Sequence, residues 1–448
     1  MIPTRGYARL LAVLALALLG PMAVAGARGA TAQEPTTISM WFDNTGGSET
    51  ADCIIATSIE PFNEQSTTTR VEATLQANNW DAARAAIAGG AGPDVVGTPG
   101  PSFAIQLARS GQLIPLDEFA AQYGWVERFV PWALDLGRVN GELVAIPSEV
   151  ETLVLYYNKT LFEENGWQPP ATMAELMTLA EQIDAAGIIP FAHANAEWRP
   201  TNEWFVGEFL NHVGGQQKVY EALTGATPWT DPAFVEAIDM LTGMQQNGWF
   251  MGGLDRYYTA TGDERLAAFG NGEAAMNIEG SWFMQEVNQY FGEEAGNAND
   301  WGWVPVPSAS GEAGYTLGIG QTYSINRNTE RPEAVAEFLD YHLSPAVQAA
   351  LVTQCGLPPA PVQLNPEDLA ELDPRHAELL QALNEASAAG QYGYTTWTFW
   401  PPAAEQYLIE EVEKVWAGDL TAQEYLQGHQ EQFDEERADG LVPPVPPR

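Results

Sequence analysis

Short apolar runs bounded by Gly, Pro, Asn and Asp alternate along this chain with longer stretches whose apolar positions recur three or four apart. The first kind predicts strands and the second predicts amphipathic helices. "TTISMWF" (36–42) is a strand that ends in the polar loop "DNTGGSE". A helical stretch runs to about Gln65, and "RVEATLQA" is a second strand. "NNWDAARAAIAGGAG" predicts an N-capped helix closed by glycines, and "PDVVGTP" a third, buried strand. The alternation implies βαβ units and a mostly parallel sheet. It restarts in "GELVAIPSEVETLVLYYNKTLFEENG", with strands around Leu143 to Pro147 and Thr152 to Tyr157, then a helix and the strand "IIPFAHA". Helical sequence dominates from Thr201 to Gly248. "AAMNIEG", "DWGWVPVP" and "YTLGIGQTYSIN" are further strands, and two helices part at Ser344-Pro345. The ending "LVPPVPPR" reads as a proline-rich tail, 437–448, with nothing to pack against.

At 448 residues the chain exceeds what one core usually needs, so two lobes are expected. Residues 1–32 carry Arg5 and Arg9, an apolar run from Leu10 to Leu19 and then small residues, the layout of a secretory signal peptide. That apolar run is short for a bilayer span, and neither cysteine lies near the cleavage region to take a lipid. A secreted protein, periplasmic or associated with the cell envelope, is expected. Formal charge is −40, which argues against nucleic acid and anionic lipid as partners. Cys53 and Cys355 are too far apart in sequence for a local metal motif; either one disulfide or two buried thiols fits them.

Open α/β sheets bind ligands beyond the carboxyl ends of their strands. The strand "AAMNI" ends at Glu279-Gly280-Ser281, which places Trp282 at such an edge, with Gly280 allowing a close approach to the backbone.

Several blocks, in order, resemble the family 1 extracellular solute-binding proteins, the sugar-binding components of ABC transporters: "ISMWF", "GAGPDVV" with "GQLIPLDEF", "VNGELVAIPSEVETLVLYYNKTLFEENGWQPPATMAEL", "NGEAAMNIEGSW", "WGWVPVPS" and "GIGQTYSINRNTERPEAVAEFLDYHLSP". The resemblance implies an α/β, two-lobe, maltose-binding-protein-like periplasmic-binding fold, each lobe a mostly parallel sheet flanked by helices. It implies lobe one at 36–148 plus 304–355, lobe two at 149–303 plus 356–436, and hinges near Pro147 to Glu151, Val304 to Pro307 and Gly356 to Ala360. Both cysteines then fall in lobe one, which favours the disulfide. A monomer is implied that captures a mono- or oligosaccharide by lobe closure and delivers it to membrane permease subunits, with no cofactor, no metal and no enzymatic activity.

A sugar presents apolar C–H faces and a rim of hydroxyls, so its site needs aromatic platforms and planar polar side chains. The chain has 15 Trp, most of which must be ordinary packing. Trp282 with Gly280 leads the candidates. Trp198 follows a strand and neighbours Asn195; Tyr394, Trp397 and Trp400 lie in "GQYGYTTWTFWPP". The corresponding segment of maltose-binding relatives supplies a stacking aromatic, which either Trp397 or Trp400 matches. Asp43, Asn44, Trp80, Thr98, Ser102, Gln321 and Thr322 follow strands or open helices, and Glu149 and Glu151 sit at the first hinge, where carboxylates can accept sugar hydroxyls.

Three alternatives stay open. A secreted glycosidase would pair Glu149 or Glu151 with Glu279. A ferric-iron site would use Tyr156-Tyr157 or Tyr257-Tyr258, and the acidity suits a polyamine. No nucleophile elbow, zinc-ligand His spacing or phosphate loop is present, while tryptophans near strand ends favour carbohydrate.

Overall fold

A computed structural model describes residues 34–43, 48–311, 314–364, 366–370 and 372–446. The expected signal peptide and Asn44 lie outside the described residues.

The strands of the two main sheets are β1 (Thr36–Phe42), β2 (Thr69–Leu75), β3 (Val95–Thr98), β4 (Ile146–Glu151), β5 (Leu153–Asn158), β6 (Ile189–Phe191), β7 (Ala274–Gly280), β8 (Trp301–Pro305), β9 (Tyr315–Ile325) and β10 (Tyr392–Tyr394). One sheet has the order β10-β9-β3-β1-β2, with β4 also paired to β9; another has the order β8-β5-β7-β6. β1 runs parallel to β2 and β3, whereas β9 is antiparallel to β3 and β4. In the second sheet β5 is antiparallel to β8 and β7, and β6 is parallel to β7. The helices that shape the site are α1 (Asn79–Ala88), α2 (Pro101–Arg109), α3 (Thr201–Phe209), α4 (Gly262–Gly270), α5 (Thr396–Phe399), α6 (Pro402–Ala417) and α7 (Ala422–Ala438).

Each sheet carries its own apolar core. Ile38, Met40, Val71, Val95 and Phe338 pack in one; Leu155, Phe191, Phe205, Met276 and Ile278 pack in the other. Two neighbouring stretches of chain cross between them. Along β9, Leu317 and Ile319 pack in the second core, while Tyr323 and Ile325 pack in the first. Alongside, Ile146 at the start of β4 belongs to the first core and Leu153 at the start of β5 to the second. The pairing of β4 with β9 shifts register around Gly320, an irregularity that bends the ladder where the cores part.

Cys53 and Cys355 form a disulfide with a Cα–Cα distance of 5.8 Å, joining the helices Glu49–Ile54 and Pro345–Cys355. The tail needs a correction. Val442 and Val445 pack against the second core, Pro443 and Pro446 are buried, and the Tyr394 hydroxyl donates to the carbonyl of Pro446 at 3.3 Å. A Pro-rich run has no helix or ladder of its own to form, but its rings and valines still remove apolar surface from water when they lie over an aromatic strand.

Candidate ligand-binding site

The site grows out of the end of β7. All seven residues of that strand are buried, and the chain then turns into a short helical segment, Ser281–Gln285. Trp282 folds back over Gly280: a Cβ at position 280 would lie 2.1 Å from carbons of the indole. Only glycine permits that overlap. The indole N–H donates to Glu279 Oε1 at 3.0 Å, and Arg265 on α4 donates to Glu279 Oε2 at 2.6 Å. Arg265 also lies over the Trp204 ring, 5.6 Å from its centroid. Trp282 sits 5.3 Å from Trp204 and 6.0 Å from Trp397, centroid to centroid. Three indoles thus form one connected wall.

The crossing strands supply acid. Side chains two apart on a strand share a face, so Glu149 and Glu151 both turn toward the same space. Glu151 rests on Gly320, where any Cβ would fall 1.8 Å from its carboxyl carbon. Burial pushes the Glu149 carboxyl up to about 7. Glu151 stands well above the usual carboxylate range, from burial first and the neighbouring Glu149 charge second. Glu203 is pushed up to about 8 by burial, although Thr396 Oγ1 donates to it at 2.5 Å. Burying a charge without a cation is costly, and the carboxyls respond by holding their protons.

Helix α3 explains Glu203 and Trp204. Every one of its nine residues is buried, so a polar side chain there must face a partner or a cavity. On the opposite side, α1 begins after Asn78 in a left-handed conformation (φ 50°), and Asp43 Oδ2 accepts from the amide of Asn79 at 2.9 Å. This linkage between the end of β1 and the start of α1 presents Trp80. Segment α5 lies against Gly100 (φ +113°), where a Cβ would approach the Trp397 carbonyl oxygen to 3.0 Å.

These elements enclose a cavity of about 390 Å³. Its walls include Trp80, Pro99 and Phe103 beside the first sheet and Trp198, Trp204, Arg265 and Trp282 beside the second. Glu149, Glu151 and Gly320 come from the connecting segments and Trp397 from α5, and Glu197 and Glu203 complete the acidic lining. A second compartment of about 230 Å³, lined by Asp43, Asn78, Trp80, Asp81, Glu197 and Trp198, shares Trp80, Trp198 and Glu197 with the first. Trp397 is only 5% exposed, and its indole N–H has no hydrogen-bond partner within the protein.

Of the residues expected at the site, the structure gathers Trp80, Trp198, Trp282, Trp397, Glu149 and Glu151 around the main cavity and Asp43 around its neighbour. Gly280 lies beneath Trp282, and Gln321 lies with Trp80 against Gly97. Others need correction. Trp400 is fully buried, packed 5.0 Å from Trp229, with its N–H on His429 Nε2 at 3.1 Å. Tyr394 is fully buried against Phe399 and Tyr220. Thr98 and Thr322 bond each other at 2.6 Å inside the first sheet, and Ser102 donates to the Trp400 carbonyl at 2.8 Å. Asn195 donates to Asn202 and Glu413, tying a loop to α6. Each of these polar groups is satisfied within the protein, which is why it sits in the interior and not on the cavity wall. Tyr257, offered with Tyr258 as a ferric-iron pair, is buried with its hydroxyl on Asn202 at 2.5 Å.

Sequence reasoning missed Glu203, Trp204, Arg265, Phe103 and Glu197. One signal was available: a glutamate directly before the apolar run Trp204, Phe205 and Val206 has to be compensated or functional if that run is buried.

A model of the bacterial extracellular solute-binding protein family matches residues 51–349. The chain is 25% identical over 241 residues to an ABC transporter extracellular-binding protein of Pyrococcus horikoshii, covering 52% of this chain and 50% of that one. It is 26% identical over 214 residues to the multiple sugar-binding protein of Streptococcus mutans, covering 46% and 48%. The chain spans about half the length of these curated relatives. A chitin oligosaccharide binding protein superimposes with a TM-score of 0.75 at 19% identity, covering 91% of this chain and 100% of that structure, which shows a shared two-lobe α/β fold.

Proposed function

The chain belongs to the bacterial extracellular solute-binding protein family, and we propose that within it this protein captures a carbohydrate between its two lobes for delivery to an ABC transporter permease. The single observation that carries this reading is the convergence of five tryptophans, Trp80, Trp198, Trp204, Trp282 and Trp397, with carboxyls on one cavity. Indole faces match the C–H faces of pyranose rings, and carboxyls match the hydroxyl rim.

The cavity walls come from both sheets, and the connecting segments β4 and β9 run between the cores. A ligand touching Trp80 on one side and Trp282 on the other makes its full set of contacts only when the lobes are together. It therefore favours the closed arrangement by its differential affinity. The adjoining compartment beyond Trp80 and Trp198 gives room for a second sugar unit, which supports an oligosaccharide. The lobes divide functionally near 148, 304 and 356, with 36–148 plus 304–355 closing on 149–303 plus 356–436. The closed protein docks on the permease as a monomer outside the cytoplasmic membrane; among the described residues no helix is long and apolar enough to cross a membrane.

The rival chemistries lose their residues. Glu279, one acid of the glycosidase reading, is held by Arg265, Trp282 and Asn277. Tyr156 and Tyr257, required for ferric iron, are fully buried with their hydroxyls on the Gly280 carbonyl and Asn202. A thermal-shift screen over mono- and oligosaccharides tests the reading, because a ligand specific to the native state raises Tm by mass action. A rise of several degrees with at least one saccharide, returned chemically unaltered, is expected. No shift across the panel, or new reducing ends, overturns it.

A further inference from the structure

We propose that the saccharide bound in the main cavity carries a protonated amine, held by Glu149 and Glu151. The inference rests on the carbohydrate reading and narrows it to amino sugars.

The charge balance of the cavity points there. Its lining holds Glu149, Glu151, Glu197, Glu203 and a single cation, Arg265. Arg265 is already engaged: it donates to the buried Glu279 at 2.6 Å and stacks on Trp204. Glu203 accepts from Thr396, and Glu197 accepts from the amide of Gly262 at 2.9 Å. Glu149 and Glu151 hydrogen-bond each other and, among the described residues, have no basic side chain beside them, and Glu151 is 5% exposed and locked in place by the missing Cβ of Gly320. The adjoining compartment adds Asp43, which accepts from the Asn79 amide, and Asp81, which is paired with Arg84 at 2.7 Å. With a neutral sugar bound, the Glu149–Glu151 pair can only keep its proton, because no cation reaches it in this tryptophan-walled space. An ammonium group bonded to the Glu149–Glu151 pair supplies the missing counter-charge through charge-assisted hydrogen bonds.

A second feature separates an amino sugar from a simple polyamine. Trp397 lines the cavity and its N–H has no partner within the protein, so an occupant that brings an acceptor oxygen is favoured over one that does not. A protonated polyamine has none, whereas an amino sugar presents both hydroxyl oxygens and an ammonium on one pyranose ring. Free of ligand, the two carboxyls retain a proton because of burial first, with the Glu149 charge and the hydrogen bond between them holding it on Glu151. An arriving ammonium ionises both, so binding releases a proton.

The test is isothermal titration calorimetry of the purified chain with matched pairs of sugars, glucosamine against glucose, galactosamine against galactose and mannosamine against mannose, with spermidine as a separate titrant. In at least one pair the amino sugar is expected to bind about tenfold more tightly, the difference between a charge-assisted and a neutral hydrogen bond. Its apparent enthalpy is expected to differ between buffers of different ionisation enthalpy, as proton release requires. Glu149→Gln, at the less buried member of the pair, is expected to narrow the difference within that pair to about threefold or less. Its circular dichroism spectrum and Tm report whether it folds, and the wild-type comparison stands without it. Equal or tighter binding of the neutral member overturns the amine assignment and leaves the carbohydrate reading standing. Binding of spermidine with no sugar bound overturns both; no binding by any member of any pair overturns the amine assignment, and the carbohydrate reading is then decided by the mono- and oligosaccharide thermal-shift screen.

Discussion

Trp282 lies directly over Gly280, so close that a Cβ at 280 would fall 2.1 Å from Cε3 and Cζ3 of the ring and 2.3 Å from Cδ2. Gly280→Ala must therefore lift the indole from its bond to Glu279. The expected cost is about 1–3 kcal/mol of stability, typical of overpacking in a well-packed region. Ligand affinity is expected to fall with it, since Trp282 is displaced from the cavity wall. Chemical denaturation and calorimetric titration of the same variant check both.

Trp282 and Trp400 make a contrasting pair. Trp282→Ala is expected to weaken saccharide binding by about 2 kcal/mol or more, the loss typical of an aromatic anchor. Trp400 packs on Trp229 and bonds His429 away from the cavity. Trp400→Phe is therefore expected to lower stability by about 1–3 kcal/mol while a folded sample keeps its affinity. Equal affinity losses in the two variants would contradict the assignment of the walls.

Glu203 makes stability depend on pH. Its carboxyl is pushed up to about 8 by burial, far above its value in an unfolded chain. Between those two values the folded state holds a proton that the unfolded state has released. This group therefore lowers stability progressively as pH rises from about 4.5 to about 8, with a slope of up to about 1.4 kcal/mol per pH unit. Glu203→Gln removes the titration and can still accept from Thr396. Its Tm relative to the parent is expected to climb steadily from pH 5 to pH 8. A constant difference would show that Glu203 does not titrate in that window.

The bond between Cys53 and Cys355 closes a loop with a sequence separation of 302. Cys53→Ser with Cys355→Ser is expected to cost about 2–5 kcal/mol, mainly by freeing the unfolded chain. Neither residue lines the cavity, so saccharide affinity of the folded double variant is expected to stay within about twofold of the parent. Denaturant titration in oxidising and reducing buffer measures the first, and calorimetry the second.

Local pattern determined much of this protein. The runs around β1, β2, β3, β5, β7, β8 and β9, the break at Ser344-Pro345 and the mostly helical stretch after Thr201 are readable because period, Gly/Pro punctuation and capping act over a few residues. The same local logic brought Trp80, Trp282, Glu149 and Glu151 forward, since strand ends and helix starts are visible in one dimension. Tertiary structure alone decided which aromatics face the ligand. Trp397 and Trp400 are three residues apart in the same motif, yet one reaches the cavity and the other fills the core beside Trp229. Thr98, Ser102 and Thr322 follow strands as a binding residue would, and only long-range partners consume their hydroxyls. Glu203 and Arg265 gain their roles from helices that meet the β7 edge across the fold. Burial and hydrogen-bond satisfaction depend on contacts between residues distant in sequence, and no local pattern carries that information.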